Sequence, residues 1–269
     1  MSPNDTAEAI RLTGLSLVFH AGTPDQRIAL DDLSLTLRKG DFAVVIGSNG
    51  AGKSTMLNAI AGSLRPDRGT IAIGGVDVTG SPVHRRARFI GRIFQDPMLG
   101  TAPALSIEEN LALASKRGRR RRLGLALNRT NRGEFAAMLA PFGLGLENRM
   151  GIAAGLLSGG QRQVLALLMA SLEKPRILLL DEHTAALDPG TAEVVMNATR
   201  RIVEDAGLTT LMITHNMAQA VGYGNRLLAM DAGRIKLDIS GDDKDGLTVD
   251  DLIKRFGGNS DRTLLQAQG

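Results

Sequence analysis

The chain has 269 residues, of which 43% are apolar and 3% aromatic, and its formal net charge is +4. The absence of cysteine excludes disulfides, zinc–thiolate sites and cysteine nucleophiles, and the scarcity of aromatic residues argues against single-stranded nucleic-acid binding by base stacking. Six positive charges lie between Lys116 and Arg122, and without them the formal net charge is −2. The basicity is therefore local, and we interpret this cluster as a solvated loop or, alternatively, as a contact for anionic lipid head groups or for an acidic loop of a membrane protein.

The first residues, Met1 to Ala9, are polar and include acids, which is not the pattern of a secretory signal. No apolar run approaches the roughly 20 residues that a membrane helix needs. We therefore expect a soluble, cytoplasmic chain whose membrane role, if it has one, comes through a partner.

Alternating apolar residues predict antiparallel strands over Ile10–Phe19 and Leu33–Leu37, with a bulge at Gly14 where the alternation slips. Similar alternation on both sides of Gly74 and Gly75 predicts a hairpin over Ile71–Val78. The first third of the chain thus contains an antiparallel β region.

A glycine-rich loop lies between the apolar run Phe42–Ile46, which predicts a buried parallel strand, and a predicted helix over Met56–Ala61 that Gly62 ends. Glycine permits positive φ, so N–H groups can face phosphate oxygens, and the helix start adds the positive end of its dipole. This context predicts a P-loop, with Lys53 on the β- and γ-phosphates and Ser54 on Mg²⁺. The loop is Gly47-Ser48-Asn49-Gly50-Ala51-Gly52-Lys53-Ser54-Thr55.

Beyond the hairpin, the pattern predicts a short helix over Arg85–Phe89, a strand over Ile90–Phe94 and then a mainly helical segment from Asp96 to about Val164. Within that segment, Ser106 and Glu109 form a predicted capping box, and a second short helix lies around Glu134–Leu139.

The sequence Ser158-Gly159-Gly160-Gln161 begins a predicted helix over Arg162–Leu172. Ser158 and Gln161 fit a capping box, but two glycines are poor helix formers there unless something approaches the backbone N–H groups. We therefore predict a second anion-binding helix start, 105 positions after Lys53.

Two acids end the apolar run Ile177–Leu180, whose lack of alternation predicts a central parallel strand. Beside a P-loop, a carboxylate at this place holds Mg²⁺ through water, which is the predicted role of Asp181. Glu182 is one position further out and is predicted to be the general base that polarises water for attack on the γ-phosphate. Two solvated acids at a strand end are the simpler alternative.

The remaining chain predicts an amphipathic helix over Thr191–Asp205, a buried strand over Leu211–Ile213 that is followed by His215, and a closing hairpin over Leu227–Ile239. We place Val194, Ala198 and Ile202 on the apolar stripe of that helix. The polar tail carries one amphipathic segment, Val249–Phe256.

These motifs occur in the order seen in ATP-binding subunits of ABC transporters, which the chain resembles from about Leu12 to Ile239. The resemblance implies an ATPase that uses ATP and Mg²⁺, a second ATPase chain in a dimer, an integral-membrane permease as a separate polypeptide, and a solute-binding protein, with no nucleic acid as partner. In such dimers the P-loop of one chain faces the Ser-Gly-Gly-Gln signature of the other. The matching segments are Gly47–Thr55, Gln95, Leu157–Gln161, Leu180–Glu182, Ala185–Asp188 and His215.

The resemblance also implies roles for single residues. Gln95 is similar to the switch glutamine that touches Mg²⁺ and senses the permease, and Asp188 to the residue that crosses to the second subunit. His215 is similar to the switch histidine at the γ-phosphate, whereas a structural histidine is the simpler alternative. Phe19 resembles the aromatic residue that stacks on adenine, with an ordinary strand core position as an equal alternative.

Some positions depart from the family pattern: His183 replaces the common Pro, Ala185 replaces a frequent Ser, and the helix after the signature lacks the usual Arg. None of these removes a catalytic group. The stretch Asp181–Asp188, together with Phe94–Pro97 and Gly100–Pro103, resembles ATPases of bacterial importers assigned to amino-acid-like solutes, including aromatic amino acids.

The expected fold class is α/β, a P-loop NTPase core with a parallel sheet, an antiparallel β subdomain and a helical insertion. We expect one ABC ATPase domain over 1–269, with its core in 1–95 and 165–240, the helical subdomain in 96–164 and a tail in 241–269.

Other functions of this family were weighed against transport. Chromosome-associated ATPases of this type need long coiled-coil arms between the two motifs, and the 105 positions here show no sustained heptads. Tandem-cassette translation factors have two P-loops, and this chain has one. An ATPase of a soluble multi-subunit enzyme complex stays open as the alternative to a transporter subunit.

Overall fold

The structure is a computed structural model that describes residues 8–117 and 129–256. Met1–Ala7, the Arg119–Arg122 part of the basic cluster and the tail after Phe256 lie outside the described residues. The strands are β1 Glu8–Phe19, β2 Arg27–Arg38, β3 Phe42–Ile46, β4 Arg68–Ile73, β5 Val76–Asp77, β6 Ile90–Ile93, β7 Ile177–Asp181, β8 Thr210–Ile213, β9 Arg226–Asp231 and β10 Arg234–Ser240. The α-helices are α1 Lys53–Ala61, α2 Val83–Arg86, α3 Ile107–Ala114, α4 Arg129–Leu139, α5 Gly159–Ser171, α6 Pro189–Ala206, α7 Met217–Gly222, α8 Asp242–Asp245 and α9 Val249–Phe256.

The chain forms two compact units, one from residues up to Arg86 together with those from Leu208 onward, and the other from Ala87–Gly207. In the first unit, β1 pairs antiparallel with both β2 and β4, and β4 pairs with β5. The bulge at Gly14 is confirmed, because the β1–β2 register shifts between Leu12 and Leu15 and Gly14 has φ +59°. Strand β2 begins at Arg27, well before the predicted start at Leu33.

The same unit contains a parallel arrangement around β3, which is buried at every residue. Strand β3 pairs parallel with β8 on one side and with β9 on the other, and β9 forms the predicted closing hairpin with β10. A strand covered on both faces has no need to alternate, which explains the continuous apolar run. The loop after Ile46 therefore begins at a fixed edge of the sheet.

In the second unit, β6 and β7 form a parallel pair, and the helical segment between them has its own apolar core. The predicted capping box of α3 is present. The core is built from α3, α4, α5 and the 3₁₀ turns between α4 and α5; its fully buried members are Ile107, Leu111, Leu139, Leu146, Ala154 and Leu165. None of the helices in the described part of the chain combines the length and apolarity needed to cross a membrane.

Two predictions about helices are wrong. The helix predicted over Arg85–Phe89 is instead α2, which lies earlier because Pro82 precedes its first turn and the Pro82 carbonyl accepts from the backbone N–H of Arg86. On α6, Val194 is 41% exposed, and Val195 takes the buried place in the stripe with Ala198 and Ile202. Val195 faces Gly160 of α5, which sets the face that α6 buries.

The C-terminal end of α1 is held by a buried arginine, Arg86. Its Nη1 donates to the carbonyls of Ala59 (2.7 Å) and Ile60 (2.8 Å), its Nε to Ser81 O (2.9 Å) and its Nη2 to Thr79 O (3.0 Å). A cation at this place gives the Ile60 carbonyl a donor and the Ala59 carbonyl a second one besides the backbone N–H of Gly62, and it interacts favourably with the helix dipole. Arg86 therefore fixes the helix that follows the glycine-rich loop.

We expect Arg86→Met to lower the free energy of unfolding by at least about 3 kcal/mol, because hydrogen bonds from a charged donor are worth about 1.5–3 kcal/mol each and four carbonyls lose this donor. Urea unfolding followed by circular dichroism measures the change. Arg85→Met is the matched control, since Arg85 is adjacent and exposed, and it should unfold like the wild type. Equal stability of the two variants would contradict the clamp.

Candidate nucleotide-binding site

The P-loop needs glycine at two places for steric reasons. A Cβ on Gly47, whose φ is +149°, would lie 2.2 Å from the carbonyl oxygen of Met230. A Cβ on Gly52, whose φ is +100°, would lie 2.4 Å from Ala29 O. Any side chain at either position would therefore push the loop away from the strand edge that holds it.

Lys53 is buried at the first position of α1, and its Nζ donates to Gly47 O (2.6 Å) and Ser48 O (2.9 Å). The N-cap residue of α1 is Gly52, which provides no side-chain cap, so the helix start presents backbone N–H groups and a lysine charge together. This is the arrangement that favours an anion. Of the other loop residues, Ser54, Asn49 and Gly50 are exposed, Ser48 and Thr55 are half-buried, and Ala51 is buried.

His215 lies at the same edge of the sheet as the P-loop. It follows β8, whose Ile213 pairs with Val45 of β3, and the backbone N–H of Thr214 donates to Val45 O (3.2 Å). The side chain of His215 is exposed. Parallel strand pairing thus brings to one edge two motifs that are far apart in sequence.

Phe19 ends β1, is half-buried, and pairs across the sheet with Arg27 of β2. Arg27 is a further residue beside the P-loop, which the sequence motifs did not indicate. Its Nη2 donates to the carbonyl oxygen of Gly50 at 3.0 Å, so a guanidinium group lies against the P-loop. The sequence signal that could have placed Arg27 opposite Phe19 is the short apolar run Ile28–Leu30, which directly follows Arg27 and belongs to β2.

In the second unit, Gln95 and Asp181 follow the same edge of the β6–β7 pair, in which Ile93 is opposite Leu180. Gln95 is exposed, and Asp181 is half-buried. The Oδ2 atom of Asp181 lies 3.7 Å from Nη2 of Arg92, whose pKa is lowered by burial and raised in part by Asp181. The surroundings of Asp181 therefore already accommodate a positive charge.

Glu182 is half-buried and has φ +45°, in the left-handed region that non-glycine residues rarely adopt. Such a conformation costs on the order of 1–3 kcal/mol and persists only where surrounding contacts impose it. The candidate general base is therefore held in a fixed, strained position at the end of β7.

The next residue, His183, ties this strand end to α6. It is buried, and its Nε2 lies 3.0 Å from Oγ1 of Thr199, whose hydroxyl donates to Val195 O at 2.8 Å. Because the single hydroxyl hydrogen is used in that way, His183 is the donor to Thr199. Burial lowers the pKa of His183 to about 4, so the ring is neutral at physiological pH. The histidine that departs from the family pattern is thus a structural cross-link next to Glu182.

The signature begins α5 with both bonds of a capping box: Ser158 Oγ accepts from the Gln161 N–H (3.3 Å), and Gln161 Oε1 accepts from the Ser158 N–H (3.1 Å). The predicted capping box is confirmed. The glycines have a packing role as well, because a Cβ on Gly160 would lie 2.3 Å from Cγ2 of Thr191.

Asp188 is exposed and caps α6 by accepting from the Thr191 N–H at 3.0 Å, and its hydrogen bonds with Thr191 lower its pKa. Since Thr191 also faces Gly160, and Leu187 faces Gly159, the starts of α5 and α6 pack directly together. The structure therefore joins the signature and Asp188 within one unit.

A P-loop after a buried parallel strand, with acids at another strand end and a signature helix start, defines an ATP-binding cassette. The family model described as ABC transporter matches residues 30–185, and the chain belongs to this family. It is an ATPase, as the members of the family are.

Relatives and solved structures support the same family assignment. The chain is 40% identical over 248 residues to a tyrosine transport ATP-binding protein of Clostridioides difficile, covering 92% of this chain and 98% of that protein. It is 38% identical to a methionine import ATP-binding protein of Rhizobium johnstonii, over 85% of this chain and 60% of that longer protein. A dimeric ATP-binding cassette bound to ADP and Pi matches with a TM-score of 0.71 and 27% identity, over 86% of this chain and 98% of that one.

We expect Thr199→Val to lower the free energy of unfolding by about 1–3 kcal/mol, because it leaves the buried His183 N–H without its acceptor. Urea denaturation measures the change. Glu193→Ala, on the exposed face of the same helix, is the control and should behave like the wild type. If Thr199→Val matched that control, the His183–Thr199 bond would not stabilise the strand end.

Proposed function

We propose that this chain is the ATP-hydrolysing subunit of an importer for an amino-acid-like solute and that it works at the inner face of the cell membrane through a separate permease. The observation that carries the proposal is the match with a tyrosine transport ATP-binding protein along nearly the whole length of both chains. The residue pattern of Asp181–Asp188 supports the same solute class. The relatives also include a methionine import ATP-binding protein.

In the proposed nucleotide site, some residues bind the phosphates and others take part in hydrolysis. Lys53 binds the β- and γ-phosphates with its charge, and the N–H groups of the loop and of α1 bind phosphate oxygens. Glu182 polarises the attacking water, and His215 contacts the γ-phosphate. Phe19 stacks on adenine. The full set proposed to contact ATP is Phe19, Gly47–Thr55, Ser158–Gln161, Asp188 and His215.

Ser54, Gln95 and Asp181 are the proposed Mg²⁺ ligands. The described residues contain no cluster of three or more His, Cys, Asp or Glu side chains suited to a metal ion. Ser54, Gln95 and Asp181 offer a hydroxyl, an amide oxygen and a carboxylate, which together with water and phosphates are ordinary ligands of Mg²⁺ in a nucleotide site. When bound, Mg²⁺ neutralises charge on the β- and γ-phosphates.

The proposed working state is a dimer in which the P-loop of one chain faces the signature of the other. Two observations support it: a solved relative is dimeric with ADP and Pi bound, and both Ser158 and Asp188 are exposed here. Two helix starts would then hold each γ-phosphate. Hydrolysis releases the dimer, and the helical segment 96–164 passes the motion to the permease.

Two exposed leucines near Arg162 support a permease as partner. Leu99 is 66% exposed and Leu156 is 76% exposed. Arg162 contacts the chain next to both leucines. Its Nη1 lies 2.6 Å from Sδ of Met98, the neighbour of Leu99, and its Nη2 donates to the carbonyl oxygens of the two residues that flank Leu156. Clustered exposed apolar side chains mark interaction surfaces. The alternative, a soluble multi-subunit enzyme complex, would place a soluble protein on these leucines.

The partner class is tested by affinity purification of the full chain from detergent-solubilised cells. We expect a polytopic membrane protein to co-purify with the wild type and to be lost with Leu99→Asp plus Leu156→Asp, because charge is disfavoured in an apolar interface. Val76→Asp, at an exposed apolar position of the other unit, is the control that should retain the partner. Recovery of soluble enzyme subunits alone would reject the transporter.

We expect Glu182→Gln to bind ATP but to lower turnover by about 10² or more, because the general base is lost. The variant should accumulate as an ATP-bound dimer in light scattering. Adding Ser158→Arg should keep it monomeric without weakening ATP binding, since the signature acts from the other chain. Full turnover of Glu182→Gln, or a dimer that survives Ser158→Arg, would contradict the proposed roles.

A further inference from the structure

Arg27 is a cation next to the P-loop that no motif explains. It begins β2, is exposed, and reaches across 23 positions of sequence to donate to the carbonyl oxygen of Gly50 at 3.0 Å. The guanidinium also lies against the Cα of Gly50, since a Cβ there would be 2.2 Å from Nη2 of Arg27. Gly50 therefore leaves space for this arginine as well as adopting φ +88°.

The guanidinium retains unused hydrogen-bonding capacity. An arginine side chain has five N–H donors, and the bond to Gly50 is the single hydrogen bond of the Arg27 side chain among the described residues. Its planar fork is suited to two oxygens of one phosphate or of neighbouring phosphates. An anion in the P-loop would thus meet a second cation besides Lys53.

The position of Arg27 on the sheet indicates which part of a nucleotide it meets. Arg27 is the cross-strand partner of Phe19, the candidate base-stacking residue. Lys53, at the first position of α1, contacts instead the carbonyls of Gly47 and Ser48 at the start of the loop. The guanidinium therefore lies between the base side and the phosphate loop. That place corresponds to the α- and β-phosphates, which ATP and ADP share.

We infer that Arg27 is a nucleotide-contacting residue of this ATPase, which binds the α- and β-phosphates of ATP and ADP from the β2 side of the P-loop. The inference rests on the proposed assignment of Gly47–Thr55 as the nucleotide site. Arg27 then supplies binding energy that is common to substrate and product, so its loss raises KM and leaves kcat nearly unchanged.

The test is isothermal titration of the full chain with ATP, ADP and adenosine in EDTA, which prevents hydrolysis. We expect Arg27→Ala to weaken ATP and ADP alike by about tenfold and to leave adenosine unaffected. Arg27→Lys, which keeps the charge but lacks the fork, should fall between. Arg38→Ala is the matched control, an arginine at the other end of the same strand, roughly 35 Å away.

Salt dependence separates a phosphate contact from a mere support of the loop. If Arg27 contacts phosphate, Arg27→Ala binds ATP with a weaker dependence on salt concentration than the wild type, because one charge–charge contact is missing. Unchanged affinity, loss for ATP alone, or an unaltered salt dependence would each overturn the inference. Lys53→Ala is measured in parallel. If Lys53→Ala binds ATP like the wild type, the P-loop assignment itself fails. If Lys53→Ala loses ATP binding while Arg27→Ala binds like the wild type, only the role of Arg27 is rejected.

Discussion

An anion-binding loop directs N–H groups toward its ligand, so its carbonyl groups must find donors elsewhere. Cationic side chains meet this need at both ends of the segment from the P-loop to the end of α1. Lys53 donates to Gly47 and Ser48 from within the segment, and Arg27 donates to Gly50 from β2. Arg86 donates to the last carbonyls of α1. At the loop end, the bonds of Lys53 and Arg27 also place two positive charges beside the proposed phosphate site.

In the second unit, the surrounding contacts hold the carboxylate residue Glu182 in an unfavourable backbone conformation. Glu182 has positive φ, and the residue after it is tied to α6 through the buried bond between His183 and Thr199. Helix α6 is in turn packed at its start against the glycines of the signature helix. The end of β7, the start of the signature helix and Asp188 are therefore packed together within this unit.

Much of the fold and of the candidate site followed from local patterns. The continuous apolar run of β3, the alternation of β1 and the capping boxes of α3 and α5 depend on neighbouring residues, so the sequence predicts them directly. The sequence predictions were wrong where tertiary packing determines the bounds or the buried face of an element. Strand β2 begins with two exposed residues, and its first buried positions, Ala29, Leu30 and Leu33, do not alternate, so no period of two marks its start. The buried face of α6 is set by its contact with α5 rather than by its own composition. The roles of the site residues in binding and hydrolysis stay predictions.

The sequence by itself determined that this chain is an ATP-binding cassette, because its motifs are short, contiguous and dictated by the chemistry of phosphate binding. Tertiary structure alone decided which distant side chains complete those motifs. Arg27 reaches Gly50, Arg86 reaches α1 and His183 reaches Thr199 only once strands and helices have packed. Each of these bonds joins residues at least 16 positions apart, and no local pattern encodes such a pairing.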